Sequence, residues 1–197
     1  MTTTGVVLAA GASRRLGRPK QLLPFEGGTL LDATLRRVRE CGFDQVIVTI
    51  GAAADEVLAA VDLSGVRVVR NTDPAGGCSS SLAAALPHVD DSAEGLVLLL
   101  GDQPLVAPFT VRALVAATAG ATIGACCYLD GIGHPFWLGR KLFGELAGLH
   151  GDKGVWKLIS TAGDELVRLP VGATVPIDVD TWADFERLQA SVRETGR

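Results

Sequence analysis

Five short apolar runs punctuate the chain: "GVVLA" (5–9), "QVIVTI" (45–50), "VRVVR" (66–70), "GLVLLL" (95–100) and "ATIGACCYL" (121–129). Each is rich in β-branched residues and shows little polar alternation, the pattern of strands covered on both faces. Segments of helical spacing separate them. Leu31, Leu35 and Val38 put one apolar stripe along 30–41, and shorter candidates lie at 55–61, 80–86 and 109–117. Strand–helix alternation of this kind predicts an α/β domain with one doubly wound, mostly parallel sheet and helices on both faces. The rhythm changes after Tyr128. "DGIGHPFWLG" predicts a turn and a further strand, antiparallel or inserted, with helices at 140–149 and 154–161 beyond it. A strand pair, "ELVRLPV" and "VPIDVD", and an amphipathic helix over 182–193 complete the series. Asp180 or Thr181 is placed to cap that last helix, with Asp184 favourable in its first turn.

No linker, repeat or low-complexity stretch divides the 197 residues, so a single domain over 1–197 is expected. Apolar residues make up 48% and charged ones 20%, enough for a core and unlike a disordered chain. A net charge of −4 excludes the broad basic face of a general nucleic-acid binder. "MTTTGVV" is unlike a signal peptide, and no apolar run approaches the ~18 residues of a bilayer span. The four cysteines show no CxxC or metal-finger spacing, and Cys126 and Cys127 sit in an apolar run. Free thiols in a cytoplasmic protein, with no membrane or nucleic-acid partner, are therefore expected.

Ligands of parallel α/β sheets bind beyond the carboxyl ends of strands, and three polar clusters fall there. In "LAAGASRRLGRPKQLLP" (8–24), Gly11 and Gly17 let backbone approach a ligand, and Arg14, Arg15, Arg18 and Lys20 supply positive charge. The loop is neither GxxxxGK[ST] nor GxGxxG. In "LLLGDQP" (98–104), Asp102 follows an apolar run at a place where a hard cation meets a phosphate; capping the next helix is its structural alternative. "PIDVDT" (176–181) presents two more carboxylates, for which capping is again the competing role. One basic loop and two carboxylate sites make a metal–triphosphate site an economical reading.

"LAAGASRRLGRPKQLLPFEGGTLL" resembles the signature LAAGxSxRxGxxKxLLPxxGxxLL of the MobA-like nucleotidyltransferases, most closely the molybdenum cofactor cytidylyltransferases. The likeness continues through "NTDPAGGCSSSL", "GDQPLV", "GHPFWLGRKLFGELAGLHGDKGVWKLI" and "IDVDTWADFERL", in order and over nearly the whole chain. It implies a Rossmann-like sheet of the nucleotide-diphospho-sugar transferase type. Main-chain groups of Leu8, Ala9, Ala10 and Gly11 would hold base and sugar, with Ser13, Arg14, Gly77, Ser79 and Ser80 also lining the nucleotide site. Ser81 belongs to the same serine run, part of whose role would be helix N-capping. Lys20 and Arg15 would contact the triphosphate, while Asp102 and Asp180, with Asp178 as a weaker candidate, would hold Mg²⁺ or Mn²⁺. "LAAG" rather than "LAGG" points to CTP over GTP.

Segment 133–159 resembles the acceptor-binding part of the cytidylyltransferases, with His134, Pro135, Arg140, Asp152 and Lys153 as candidates. Bland alternatives are a turn position for His134, surface charge for Arg140 and Lys141, and core packing for Trp137 and Trp156. The implied reaction moves CMP from CTP onto the phosphate of molybdopterin or the molybdenum cofactor, releasing pyrophosphate. A client molybdoenzyme or its chaperone is an implied partner. Other readings are GTP or a different phosphorylated acceptor, an oxidoreductase-like member using a reduced dinucleotide, and a non-catalytic cofactor carrier.

Overall fold

A computed structural model describes residues 1–195, with the side chains of the last two of these not described. Nine strands form in chain order. Seven of them are long enough to build the main sheet: β1 (Thr3–Ala9), β4 (Gln45–Ile50), β5 (Arg67–Arg70), β6 (Gly95–Leu100), β7 (Ile123–Tyr128), β8 (Gly131–Gly139) and β9 (Leu166–Pro170). A two-residue hairpin, β2 (Pro24–Phe25) and β3 (Gly28–Thr29), stands apart. The order across the main sheet is β5-β4-β1-β6-β8-β7-β9. Every neighbouring pair is parallel except those made by β8, which runs antiparallel to both β6 and β7. The seven strands and surrounding helices form the doubly wound, mostly parallel α/β sheet expected from the sequence.

Alternation within the strands divides the core. Val7, Ala9, Val48, Ile50, Val97 and Leu99 face one side, against α1 (Leu30–Arg39), α2 (Ala54–Ala60) and α4 (Pro108–Ala117). Val6, Leu8, Ile47, Leu96 and Leu98 face the other, against α3 (Gly77–Ala85), the short α5 (Phe143–Leu146) and α6 (Gly154–Thr161). The period of two in strand direction makes this sorting automatic. A third apolar cluster joins Leu16, Leu23, Phe25 and Leu30 to Val179, Phe185 and Leu188, and so docks α7 (Trp182–Thr195) beside the loop after β1.

Three sequence expectations change. "VPIDVD" forms no strand: Pro176 has no amide hydrogen to give a ladder, and side chains hold the segment instead. Asp130 Oδ1 accepts from Val175 N at 2.8 Å, and Gln103 Nε2 donates to Pro176 O at 3.0 Å. The helix expected over 140–149 is a 3-10 turn followed by the four residues of α5, in a stretch carrying Gly144 and Gly148. The serines do not cap α3, which starts at Gly77 with Gly76 before it and no side-chain cap.

Candidate active site

Beyond β1 the chain leaves the sheet at Ala10 and turns through Ser13 (φ 51°) and Gly17 (φ 69°) before a 3-10 turn at Lys20–Leu22. Two side chains close this loop. Ser13 Oγ accepts from Lys20 N at 2.9 Å, and Gln21 Nε2 donates to Ala9 O at 2.7 Å and Gly11 O at 3.0 Å. Gln21 is buried, and nothing in the sequence marks it: a glutamine between Lys20 and two leucines gives no charge or periodicity signal. The loop is therefore a rigid unit. Leu8, Ala9 and Ala10 are buried, Gly11, Arg14 and Arg15 exposed.

At its end the Lys20 ammonium lies 2.6 Å from Asp102 Oδ2 and 2.9 Å from Asp180 Oδ1. Arg15 reaches the other oxygen of Asp180 at 3.1 Å. Three separate parts of the sequence meet here for identifiable reasons. Asp102 follows β6 directly, beside β1 in the sheet. Asp180 arrives because Val179, fully buried, is fixed among Leu16, Leu23 and Leu30. Neither carboxylate serves as a cap. The residue before α4 is Ala107, with no side-chain cap, and α7 is capped by Thr181: Thr181 N donates to Asp184 Oδ2 at 2.8 Å and Asp184 N to Thr181 Oγ1 at 3.3 Å.

The electrostatics follow from burial and pairing. Burial would lower Lys20, but attraction to Asp102 and hydrogen bonds to both carboxylates leave its pKa raised, so it stays an ammonium. Asp102 is pushed up by burial, with Lys20 opposing, and the exposed Asp178 adds to the rise. The hydrogen bond from Lys20 holds Asp180 below the usual carboxylate range. Burial and pairing thus pull Asp102 in opposite directions, with burial the larger effect.

Among the described residues no three His, Cys, Asp or Glu side chains group as a metal site. Two carboxylates converging on one point do suit a cation that takes its other ligands from phosphates and water, which is the habit of Mg²⁺. The shared contact with one ammonium shows that both carboxylates reach a common cation position.

Other candidates are sorted by the fold. At the N-terminus of α3, Cys78 N donates to Asp152 Oδ1 at 3.1 Å, and Ser79 N to Gly151 O at 3.2 Å. Any side chain at Gly77 (φ 77°) would collide with Asp152 there. Burial, then Asp152 and Asp102, push the Cys78 thiol up to about 11, which sets the α3 start within electrostatic reach of the Lys20 cluster. Ser79 Oγ is buried without a partner, whereas Ser80 and Ser81 accept from Asn71 Nδ2 at 2.9 and 3.0 Å. Lys153 is exposed beside Asp152.

His134 and Pro135 lie inside β8, not in a turn; both are buried. Phe136 pairs with Leu98, so His134 stands at the same sheet end as Asp102. Its ring stacks on Phe136 with centroids 4.2 Å apart and meets Trp156 edge-on at 5.7 Å. Burial drives its pKa down to about 3, so it is neutral. Trp137 is core as expected, but Trp156 is 38% exposed, meeting His134 and Phe136 only in perpendicular ring contacts. Arg140 departs from the expectation of an acceptor contact. It follows Gly139, which pairs with Gly95 at the opposite end of the sheet, and its guanidinium clamps the carbonyls of Ala93 and Asp90. That position is far from the Lys20 cluster.

Fold and site together define a nucleotidyltransferase-like α/β domain. The chain belongs to the MobA-like NTP transferase domain family, whose model matches residues 5–167. A solved homologue from Mycobacterium sp. strain JC1 of the Mycobacterium tuberculosis protein Rv0371c is 58% identical, with a TM-score of 0.93 over 98% of both chains. Rv0371c itself, in a complex with manganese, is 50% identical, with a TM-score of 0.88 over 97% of this chain and 100% of that one. Nicotine blue oxidoreductase of Paenarthrobacter nicotinovorans is 37% identical over 128 residues, covering 64% of this chain and 61% of that protein. The chain thus spans less than two thirds of that curated relative. No helix among the described residues is long and apolar enough to cross a membrane.

Proposed function

We propose that the protein transfers CMP from CTP to the terminal phosphate of molybdopterin or the molybdenum cofactor. One observation carries the nucleotidyl-transfer part: Lys20 spans Asp102 and Asp180 at the mouth of the loop after β1. The CTP and pterin assignments rest on Ala10 and on the resemblance of 133–159 to the cytidylyltransferase branch. An acceptor phosphate oxygen attacks the α-phosphorus, the α–β bridging bond breaks, and pyrophosphate leaves.

The nucleophile is already anionic, so no general base is required. This agrees with a neutral, buried His134 at the site's end of the sheet. What the reaction demands is charge compensation while two anions meet in line. Lys20 and Arg15 offer that compensation to the phosphates. The loop fixed by Ser13 and Gln21 keeps the main-chain groups of Ala9 to Gly11 in place for base and sugar. Asp102 and Asp180 would hold Mg²⁺ or Mn²⁺, which when bound offsets phosphate charge; the manganese complex of the 50%-identical relative supports this choice of ions.

The relative named nicotine blue oxidoreductase favours a second reading, reduced-dinucleotide chemistry on a pigment-like substrate. The loop after β1 speaks against it, having no GxGxxG. Incubation with each of the four nucleoside triphosphates, Mg²⁺ and molybdopterin decides the matter. Acceptor-dependent pyrophosphate release with CTP is expected. Release with GTP alone reassigns the base, and no release, together with NADPH binding, overturns the transferase reading.

A further inference from the structure

We propose that Lys20 fills the cation position of the site until a nucleotide arrives, so that the protein binds a divalent cation more tightly as its triphosphate chelate than as the free ion. This rests on the reading of the site as a triphosphate site.

The geometry is specific. Asp102 and Asp180 present one oxygen each to a single point, and Lys20 Nζ is at that point, 2.6 and 2.9 Å away. A divalent cation bridging the same oxygens would stand within ~3 Å of the ammonium, where like charges repel strongly at the dielectric of a partly buried site. One cation must leave. Lys20 is built to be the one that moves: its main chain is pinned by Ser13 Oγ, while four methylenes let the ammonium swing. Arg15 holds Asp180 from outside, with 71% of its side chain exposed, and does not fill the shared point.

The two ways of loading the site differ in what Lys20 receives. A free ion expels the ammonium from two carboxylates and gives it no anion in return. A chelate brings phosphate oxygens, which become the new partners of Lys20 as the carboxylates pass to the metal. Nor can Lys20 leave without replacement, because Asp102, buried, would be left bare.

The test measures Mn²⁺ affinity by the electron spin resonance signal of the free ion. Without nucleotide, Lys20→Met is expected to bind Mn²⁺ ~10-fold or more tightly than the unsubstituted protein. Arg15→Met, which removes an equal charge from beside Asp180 only, should change affinity less than ~3-fold. Unchanged or weaker binding in Lys20→Met, or an equal gain in Arg15→Met, overturns the proposal. Should Lys20→Met fail to fold, the unsubstituted protein gives a second reading with ¹³Cε-labelled lysine. The Lys20 resonance should move with Mg²⁺ plus CTP and stay with Mg²⁺ alone; a shift of equal size with Mg²⁺ alone overturns loading as the chelate. If none of the four triphosphates raises Mn²⁺ occupancy, the nucleotide reading falls and this proposal with it. If CTP raises it while Lys20→Met leaves free-ion affinity unchanged, only the displacement falls.

Discussion

The loop after β1 and the β8–α6 segment carry the same kind of motif, yet the fold treats them differently. In the first, Ser13, Arg15, Lys20 and Gln21 lie within nine residues and act on one another, on the loop's own carbonyls or on the same two carboxylates. In the second, His134 and Arg140 are six residues apart but sit at opposite ends of the sheet. A strand rises ~3.3 Å per residue, so those six positions carry the chain about 20 Å. Closeness in sequence means closeness in space only where the backbone turns back on itself.

That contrast can be tested by substitution. The largest effect is expected at the convergent cluster. Lys20→Ala or Asp102→Ala should cut nucleotidyl transfer by ~10²–10³ while circular dichroism stays unchanged. Turnover near that of the unsubstituted protein would remove the site from this cluster.

A second effect comes from His134. Its pKa is about 3 in the fold against an ordinary value of 6.5, so the unfolded chain binds the extra proton over that interval. Stability is then full above pH ~6.5 and falls as pH drops toward ~3, by roughly 1.4 kcal/mol per unit. His134→Gln should flatten this slope in thermal melts; parallel slopes would mean that other groups set it.

Arg140 should show the reverse of Lys20. Arg140→Ala loses the clamp on Ala93 and Asp90 and the stacking on Phe143, 5.1 Å from the guanidinium. It is expected to destabilise by ~1–3 kcal/mol in denaturant titration and to leave transfer turnover intact. A loss of turnover of about tenfold without destabilisation would return Arg140 to the acceptor site. The smallest change is expected for Thr181→Ala, which breaks the cap of α7 at a cost of ~1 kcal/mol in the same titration and reaches Asp180 only indirectly. A larger loss of turnover than of stability would give Thr181 a direct part in the site.

Much of this was legible in the chain. The β-branched runs give the strands of the parallel part, and "LAAGASRRLGRPK" gives the cationic loop. Asp102 is placed by the apolar run before it. Less visible are contacts that depend on where segments dock. Val179 packing against Leu16 brings Asp180 to Lys20, and no local pattern announces it. The serines resemble caps because serine favours that position, but α3 begins earlier, and Asn71 takes Ser80 and Ser81 as partners. Trp156 resembles core because large aromatics usually are, yet it stays 38% exposed beside His134 and Phe136.

Because β8 runs against its neighbours, it joins β7 by a turn instead of a crossover. The tight turn between β7 and β8, at Leu129 and Asp130, projects from the same end of the sheet as Asp102, and Leu129 is 76% exposed. Residues inserted there would extend that end of the sheet without touching the register of β1, β4 or β6. Added length in that one hairpin changes this end of the sheet while the strand that leads to Asp102 keeps both of its neighbours.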